Sequence, residues 1–166
     1  MTERTREQRM TTALHEAGHA VVHLHFGLPV TEVSIVEAHD GCGAMIHPEA
    51  LMADAPPRKR RAIARQLILG CYAGLHAERF ADPDVDASHG THDEAEAFEL
   101  SRKYGVLPRR TSAIGDQEHM AYLGRLSEES RRLVNRRDAP IIVLASELLA
   151  RGKMSGDECL AALPGF

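Results

Sequence analysis

Aromatic residues are scarce in this chain. Tryptophan is absent, and aromatic side chains make up only 4% of the 166 residues. Hydrophobic residues nevertheless account for 43% of the sequence, so we expect a folded core. That core must consist mainly of aliphatic side chains, and the length predicts a single domain over residues 1–166.

Cysteine is also rare. The three copies, Cys42, Cys71 and Cys159, are an odd number and lie far apart in the sequence. This pattern argues against a disulfide framework and indicates free thiols in a reducing compartment, so we expect a cytoplasmic protein. The charged segment Met1–Arg6 is not followed by an apolar stretch and therefore does not resemble a signal peptide.

Long apolar runs and an excess of positive charge are missing as well. The sequence has no run of about 18 apolar residues, which predicts that no helix spans a membrane. The net charge of −4 does not favour nucleic-acid binding. We expect the basic run Arg58–Arg61 to form the solvated start of a helix.

Histidine, in contrast, is abundant, with ten copies. Several of them lie in the first predicted helix, over residues 5–26. Thr5 and Gln8 form a capping-box pattern at its start, and Gly27 is placed to end it. Apolar residues recur at spacings of three and four along this segment, as expected for a helix with one buried face.

His15, Glu16 and His19 form an H-E-x-x-H motif in this helix. Residues four apart lie on the same helix face, so both imidazoles can reach one metal ion. Glu16 is then placed to accept a proton from water at the metal. The motif is short enough to arise by chance in a chain rich in His and Glu. Glycine inside a helix, as at Gly18, makes helix formation less favourable than alanine would by about 1 kcal/mol. A glycine at this position indicates that another backbone approaches closely here.

A catalytic zinc site needs a third protein ligand and an open position for water. The later part of the sequence contains four candidates for the third ligand: Glu78, His89, His92 and Asp93. Residue chemistry alone leaves all four open, although Asp93 would lie in the well-defined first turn of a helix. His23 lies too far along a straight helix to reach the same ion, so we expect His23 and His25 to be surface groups, supporting groups beside the site, or core polar groups.

The remaining secondary structure is predicted to be mainly helical. Alternating β-branched residues predict a strand at Val30–Val36, and Asp40 with Gly41 marks a turn to a second strand at Cys42–His47. Helices are predicted at Arg58–Phe80, Thr91–Tyr104, 119–138, 139–151 and Asp157–Leu163. Predicted caps are Thr91 with Glu94 in a capping box, and Ser155. Residues 106–117 are predicted to be irregular. The expected fold class is therefore mainly α with a small β-sheet.

This pattern resembles the peptidase domain of the FtsH family of membrane-bound, ATP-dependent zinc metalloproteases. The similarity runs almost end to end through six segments: His15–Val22 (HEAGHAVV), Pro29–Val36 (PVTEVSIV), Gly43–Glu49, Ala73–Glu78 (AGLHAE), Thr91–Asp93 and Leu148–Leu163 (LLARGKMSGDECLAAL). The resemblance implies a helical zincin-like fold with a small sheet beside the zinc helix.

The same resemblance implies the roles of the site residues. His15, His19 and Asp93 would bind Zn²⁺, and Glu16 would be the general base. Glu78 would be a structural carboxylate that orients a ligand histidine. The alternative role for Glu78 is that of the third metal ligand.

Three features depart from the family pattern. The sequence contains no G-x-x-x-x-G-K-[ST] motif, so we do not expect it to unfold substrates with ATP, and we also expect no membrane anchor. The residues at 37–39 (Glu-Ala-His) stand where the family has Pro-Arg-Gly, at the strand edge where an extended peptide would bind. His92 replaces the family's Asn beside Asp93, and is a further candidate for binding the metal or for stabilising charge.

The sequence therefore predicts a zinc metalloendopeptidase that hydrolyses peptide or amide bonds in short or unstructured substrates. One alternative is a zinc-binding regulator or adaptor without hydrolytic activity. Another is a subunit that works with a separate ATPase chain. The expected partners are peptides or unfolded proteins, and the sequence leaves the oligomeric state open.

Overall fold

The computed structural model describes residues 5–36, 43–44, 48–85, 90–106 and 116–166. These residues form eight helices: α1 (Arg6–His25), α2 (Pro48–Met52), α3 (Pro57–Cys71), α4 (Ala73–Glu78), α5 (Thr91–Lys103), α6 (Asp116–Arg136), α7 (Asp138–Arg151) and α8 (Gly156–Ala162). They also form three short strands: β1 (Glu32–Ser34), β2 (Gly43–Ala44) and β3 (Lys153–Ser155). The prediction of a mainly helical protein with a small sheet is confirmed.

Helix α1 begins and ends as predicted. The Thr5 hydroxyl accepts a hydrogen bond from the backbone of Gln8, and the Gln8 side chain accepts one from the backbone of Thr5. This reciprocal capping box satisfies backbone donors that have no partner inside the helix. Gly27 follows the helix with a φ of 67°, a left-handed conformation that glycine adopts without strain.

The core is built around α1, which packs against α4 and α7 and also contacts α3 and the first two strands. The buried face of α1 carries small side chains such as Ala13, Ala17 and Ala20, each with 0% exposure. Small residues let the neighbouring helices approach closely. Apart from Ser101, the largest fully buried side chains in the described part of the chain are aliphatic or sulfur-containing, as the shortage of aromatics predicts.

The sheet lies beside α1 and is antiparallel, with the strand order β2-β1-β3. Val33 in the central strand pairs with Ala44 on one side and with Met154 on the other. Strand β1 is shorter than the predicted strand Val30–Val36, and β3 was not predicted because three residues are too few to show alternation. The predicted turn at Asp40 and Gly41, and most of the strand predicted to follow it, lie outside the described residues.

The prediction of one helix over Arg58–Phe80 is wrong. Helices α3 and α4 meet at Tyr72, where the backbone hydrogen bonds to and from this residue are long, at 3.4 Å each. Gly70 and Gly74 flank the break, and glycine weakens a helix at such positions. The apolar residues keep their helical spacing across Tyr72, so the apolar periodicity alone predicted a continuous helix.

Two helix starts also differ from the predictions. Pro48–Met52 forms α2 where a strand was predicted to end, since proline at the first position of a helix loses no hydrogen bond. The N-cap residue of α5 is Gly90, without a side-chain cap, so the predicted capping box at Thr91 is wrong. Thr91 instead lies within the first turn.

The last three helices lie close to their predicted positions. Helix α6 begins at Asp116, inside the segment predicted to be irregular, of which residues 107–115 lie outside the described residues. Helix α7 begins at Asp138. Ser155 caps α8 as predicted, in a capping box with Glu158. No helix in the described part of the chain is both long and apolar enough to cross a lipid bilayer.

Candidate metal centre

The two histidines of the H-E-x-x-H motif lie side by side on α1, as their spacing predicts. The Nε2 atoms of His15 and His19 are 2.9 Å apart, and the ring centroids are 4.6 Å apart. Glu16 is buried next to them, with 5% exposure, and its charge favours the protonated form of His15. The helix therefore presents two imidazole nitrogens at one point with a carboxylate nearby.

Helix α4 packs closely over this part of α1. A Cβ atom at Gly18 would lie 2.7 Å from the Ala73 carbonyl oxygen, so the predicted close approach of another backbone to Gly18 is confirmed. A Cβ atom at Gly74 would lie 2.5 Å from Nε2 of His19 and 2.7 Å from Nε2 of His15. A side chain at Gly74 would thus fill the space directly beside both Nε2 atoms.

Asp93 joins the two histidines from the first turn of α5. Its Oδ2 atom lies 3.3 Å from Nε2 of His15 and 3.6 Å from Nε2 of His19. One donor atom from each of the three residues lies within 4.8 Å of the others. Burial opposes ionisation of Asp93, but the hydrogen bond to His15 and the charges of the imidazoles outweigh it and lower the pKa of the carboxyl.

The Nδ1 atoms of the two histidines have partners outside this cluster. Nδ1 of His15 lies 2.8 Å from Oε1 of Glu78, and Nδ1 of His19 lies 2.8 Å from the carbonyl oxygen of Gly70. Because a carbonyl oxygen can only accept, Nδ1 of His19 is the donor, and the Nε2 atom of the neutral ring keeps its lone pair. Such partners fix the tautomer and the orientation of metal-binding histidines.

The two rings differ in protonation. Burial opposes protonation of His15, but hydrogen bonds to Asp93 and Glu78 outweigh it and raise its pKa to about 10. Burial, followed by the positive charge of His15, lowers the pKa of His19 to about 4. In the metal-free protein at neutral pH, His15 is therefore a cation and His19 is neutral. The single Nε2–H of His15 faces two acceptors, Nε2 of His19 and Oδ2 of Asp93.

The other candidates for the third ligand lie elsewhere. Glu78 is buried but faces Nδ1 of His15, whereas Asp93 faces Nε2 of the same ring. His92 is exposed on α5, where its charge helps to lower the pKa of Asp93. His89 lies outside the described residues. Within the residues that the structure describes, the group able to hold a metal consists of His15, His19 and Asp93.

His23 and His25 are not members of this group. His23 is buried, and neither of its ring nitrogens has a hydrogen-bond partner within the described ranges. His25 is exposed, and its Nδ1 atom accepts a hydrogen bond from Arg137 at 2.9 Å. Of the expected placements, His23 thus takes one in the core and His25 one at the surface.

Two features of the site were not identified from the sequence. The Gly70 carbonyl is a backbone group, and every residue carries one, so no residue type marks it. The position of Gly74 beside the rings of His15 and His19 was not predicted either, although a glycine within a predicted helix is itself a sign of close packing.

The donor set suits a divalent transition metal. Two imidazole nitrogens and a carboxylate oxygen are ligands that such ions commonly take, with zinc among them. The neutral His19 offers the lone pair of Nε2, and a metal at the site would take the place of the proton on Nε2 of His15. No protein-family model matches the chain, and no curated protein is significantly similar to it.

Proposed function

We propose that this chain is a zinc-dependent metallopeptidase of the FtsH type, in which His15, His19 and Asp93 hold Zn²⁺ and Glu16 is the general base. The observation that carries the proposal is the convergence of these three donor groups from α1 and α5, two helices far apart in the sequence. A helical zincin-like fold with the small sheet beside α1 is part of the same proposal.

The number of donors favours an enzyme over a structural zinc site. Catalytic zinc sites have three protein ligands and keep one position for water or substrate, whereas structural sites have four. The described part of the chain provides three donors in this group. A buried carboxylate at Glu16 has no use in a purely structural site, so it also argues against a regulator that only binds zinc.

The proposed reaction is hydrolysis of a peptide or amide bond. A bound zinc ion supplies Lewis acidity, which makes water nucleophilic near neutral pH. The Glu16 carboxylate accepts a proton from the attacking water as the new C–O bond forms. It then passes that proton to the amine nitrogen as the C–N bond breaks, so that an acid and an amine leave.

The expected substrates are short peptides or unstructured segments. This sequence contains no motif for binding ATP phosphates. A separate ATPase chain is therefore a proposed partner, and a cytoplasmic location is proposed from the free thiols Cys71 and Cys159.

A zinc-content assay combined with cleavage of a peptide library tests the proposal. We expect the purified protein to bind one zinc ion and to cleave peptides, and Glu16→Gln to keep the metal while losing nearly all hydrolysis. Glu118→Gln, at an exposed position on α6, is the matched control and should behave like the wild type. Full activity in Glu16→Gln would refute the mechanism, and zinc binding without any cleavage would favour the regulator.

A further inference from the structure

A buried contact between α1 and α3 lies directly behind the metal centre. The side chain of His23 is 8% exposed and packs against the backbone of Gly70. A Cβ atom at position 70 would lie 1.9 Å from Nε2 and 2.4 Å from Cδ2 of His23, far closer than atoms can approach. The imidazole therefore occupies the space that any other residue at position 70 would need for its side chain.

Gly70 is also the residue whose carbonyl oxygen accepts the hydrogen bond from Nδ1 of His19, at 2.8 Å. This carbonyl lies in the last turn of α3, which ends at Cys71. Carbonyl groups in the last turn of a helix have no donor within the helix, so they need partners outside it. The break at Tyr72 thus directs a backbone acceptor, at the negative end of a helix dipole, toward a ring of the metal site.

We propose that His23 and Gly70 form a packing pair that sets the position of the Gly70 carbonyl and, through it, the orientation of His19 toward the metal. This inference rests on the proposed metal site, and it makes His23 and Gly70 positioning residues that do not touch the metal. The contact distances leave little freedom, because the ring of His23 lies in the core and is enclosed by α1 and α3.

The pair explains why a histidine with no hydrogen-bond partner is buried at position 23. Neither ring nitrogen makes a hydrogen bond of good geometry, although the Leu67 carbonyl lies near the ring, so the loss of hydration is poorly compensated and disfavours folding. A flat ring fills the narrow space beside a residue that has no side chain, and it holds α3 at the distance where the Gly70 carbonyl reaches His19. The cost in stability is thus linked to the geometry of a metal ligand.

The inference predicts that a methyl group at position 70 can be tolerated only if His23 is made smaller. Gly70→Ala alone should push α3 away from α1 and lengthen the hydrogen bond to His19. Loss of such a supporting contact typically weakens metal affinity by about 10- to 100-fold. Adding His23→Ala should remove the clash and restore most of the lost affinity.

The experiment compares the wild type, Gly70→Ala and the double variant Gly70→Ala with His23→Ala. Gly124→Ala is the matched control, because a Cβ atom at this exposed helical glycine meets nothing within 4 Å. Zinc affinity is measured by competition with a chelator, and the Co²⁺ absorption spectrum reports the ligand geometry. In the metal-free proteins, ¹⁵N chemical shifts of the histidine rings report whether Nδ1 of His19 still donates a hydrogen bond.

We expect weaker zinc binding and an altered Co²⁺ spectrum in Gly70→Ala, recovery in the double variant, and wild-type behaviour in the control. Unchanged affinity in Gly70→Ala, or no recovery in a folded double variant, would overturn the inference. If Gly70→Ala does not fold, the folding of the double variant tests the inference. A double variant that also fails to fold overturns the inference. If the wild type binds no zinc, the proposed function fails, while the ¹⁵N shifts still test the packing pair.

Discussion

Oε1 of Glu78 lies 2.8 Å from Nδ1 of His15, while Oδ2 of Asp93 lies 3.3 Å from Nε2 of the same ring. The imidazole is therefore held between two carboxylates from different helices. One carboxylate belongs to the group that can hold a metal, and the other fixes the ring from behind. This arrangement gives Glu78 a testable role that differs from that of a ligand.

Removing the Glu78 carboxylate should weaken metal binding without abolishing it. In Glu78→Ala, Nδ1 of His15 loses its acceptor, so the ring is less well oriented and less basic. We expect zinc affinity to fall by about 10- to 100-fold, as measured by chelator competition. Glu99→Ala removes the same charge from an exposed position on α5 and should change the affinity very little. Complete loss of zinc from Glu78→Ala would instead identify Glu78 as a ligand.

A methyl group at position 74 should block the centre directly. The added Cβ atom would lie 2.5 Å from Nε2 of His19 and 2.7 Å from Nε2 of His15. Alanine favours a helix over glycine by about 1 kcal/mol, so α4 should still form. We expect Gly74→Ala to lose zinc affinity by at least about 100-fold, a loss of more than about 2.7 kcal/mol, with helical circular dichroism retained. Wild-type affinity in this variant would show that the space beside Gly74 is not the metal position.

Local signals in the sequence predicted much of the fold. The caps at Thr5 and Ser155 and the end of α1 at Gly27 are set by residues next to one another in the chain, and all three are confirmed. The break at Tyr72 could not be predicted in the same way. It depends on close packing of glycine backbones against histidines of another helix, which is a tertiary effect.

The site shows the same division. The pairing of His15 with His19 follows from helix geometry alone, whereas the position of Asp93 depends on how α5 packs against α3. The sequence could name Asp93 as one of several candidates, but residue chemistry did not separate it from Glu78. The structure distinguishes Asp93 from Glu78, because each carboxylate lies close to a different ring nitrogen of His15.

Zinc binding should release about one proton at neutral pH. The pKa of His15 is raised to about 10, so its ring is protonated in the metal-free protein, whereas a ligand imidazole must be neutral. His19, with a pKa of about 4, is already neutral and releases none. Apparent zinc affinity should therefore increase by about tenfold per pH unit through the neutral range. Calorimetry in buffers of different ionisation enthalpy counts the protons, and a value near zero would contradict this assignment.

The metal-free protein should lose stability in acid, with His23 as a main cause. Burial, and then the charge of His19, lowers the pKa of His23 from 6.5 to about 3, against a smaller opposite effect of the Leu67 carbonyl. Between these two pKa values the unfolded chain binds a proton that the folded protein excludes. The free energy of unfolding therefore decreases as the pH falls below about 6.5, by up to about 1.4 kcal/mol per pH unit from this residue.

His23→Leu should make this decrease shallower, because the variant has no group to protonate at that position. Urea unfolding in the presence of EDTA, from neutral pH to about pH 4, measures the slope for each protein. His19 and His76, whose pKa values are both lowered to about 4, keep part of the acid sensitivity in the variant. His25→Leu, at an exposed position on the same helix, should flatten the slope less than His23→Leu, because only partial burial and the charges of Arg137 and Arg136 lower the pKa of His25. Equal slopes in the wild type and His23→Leu would mean that His23 is accessible to protons in the folded protein, and that its ring is not enclosed between α1 and α3.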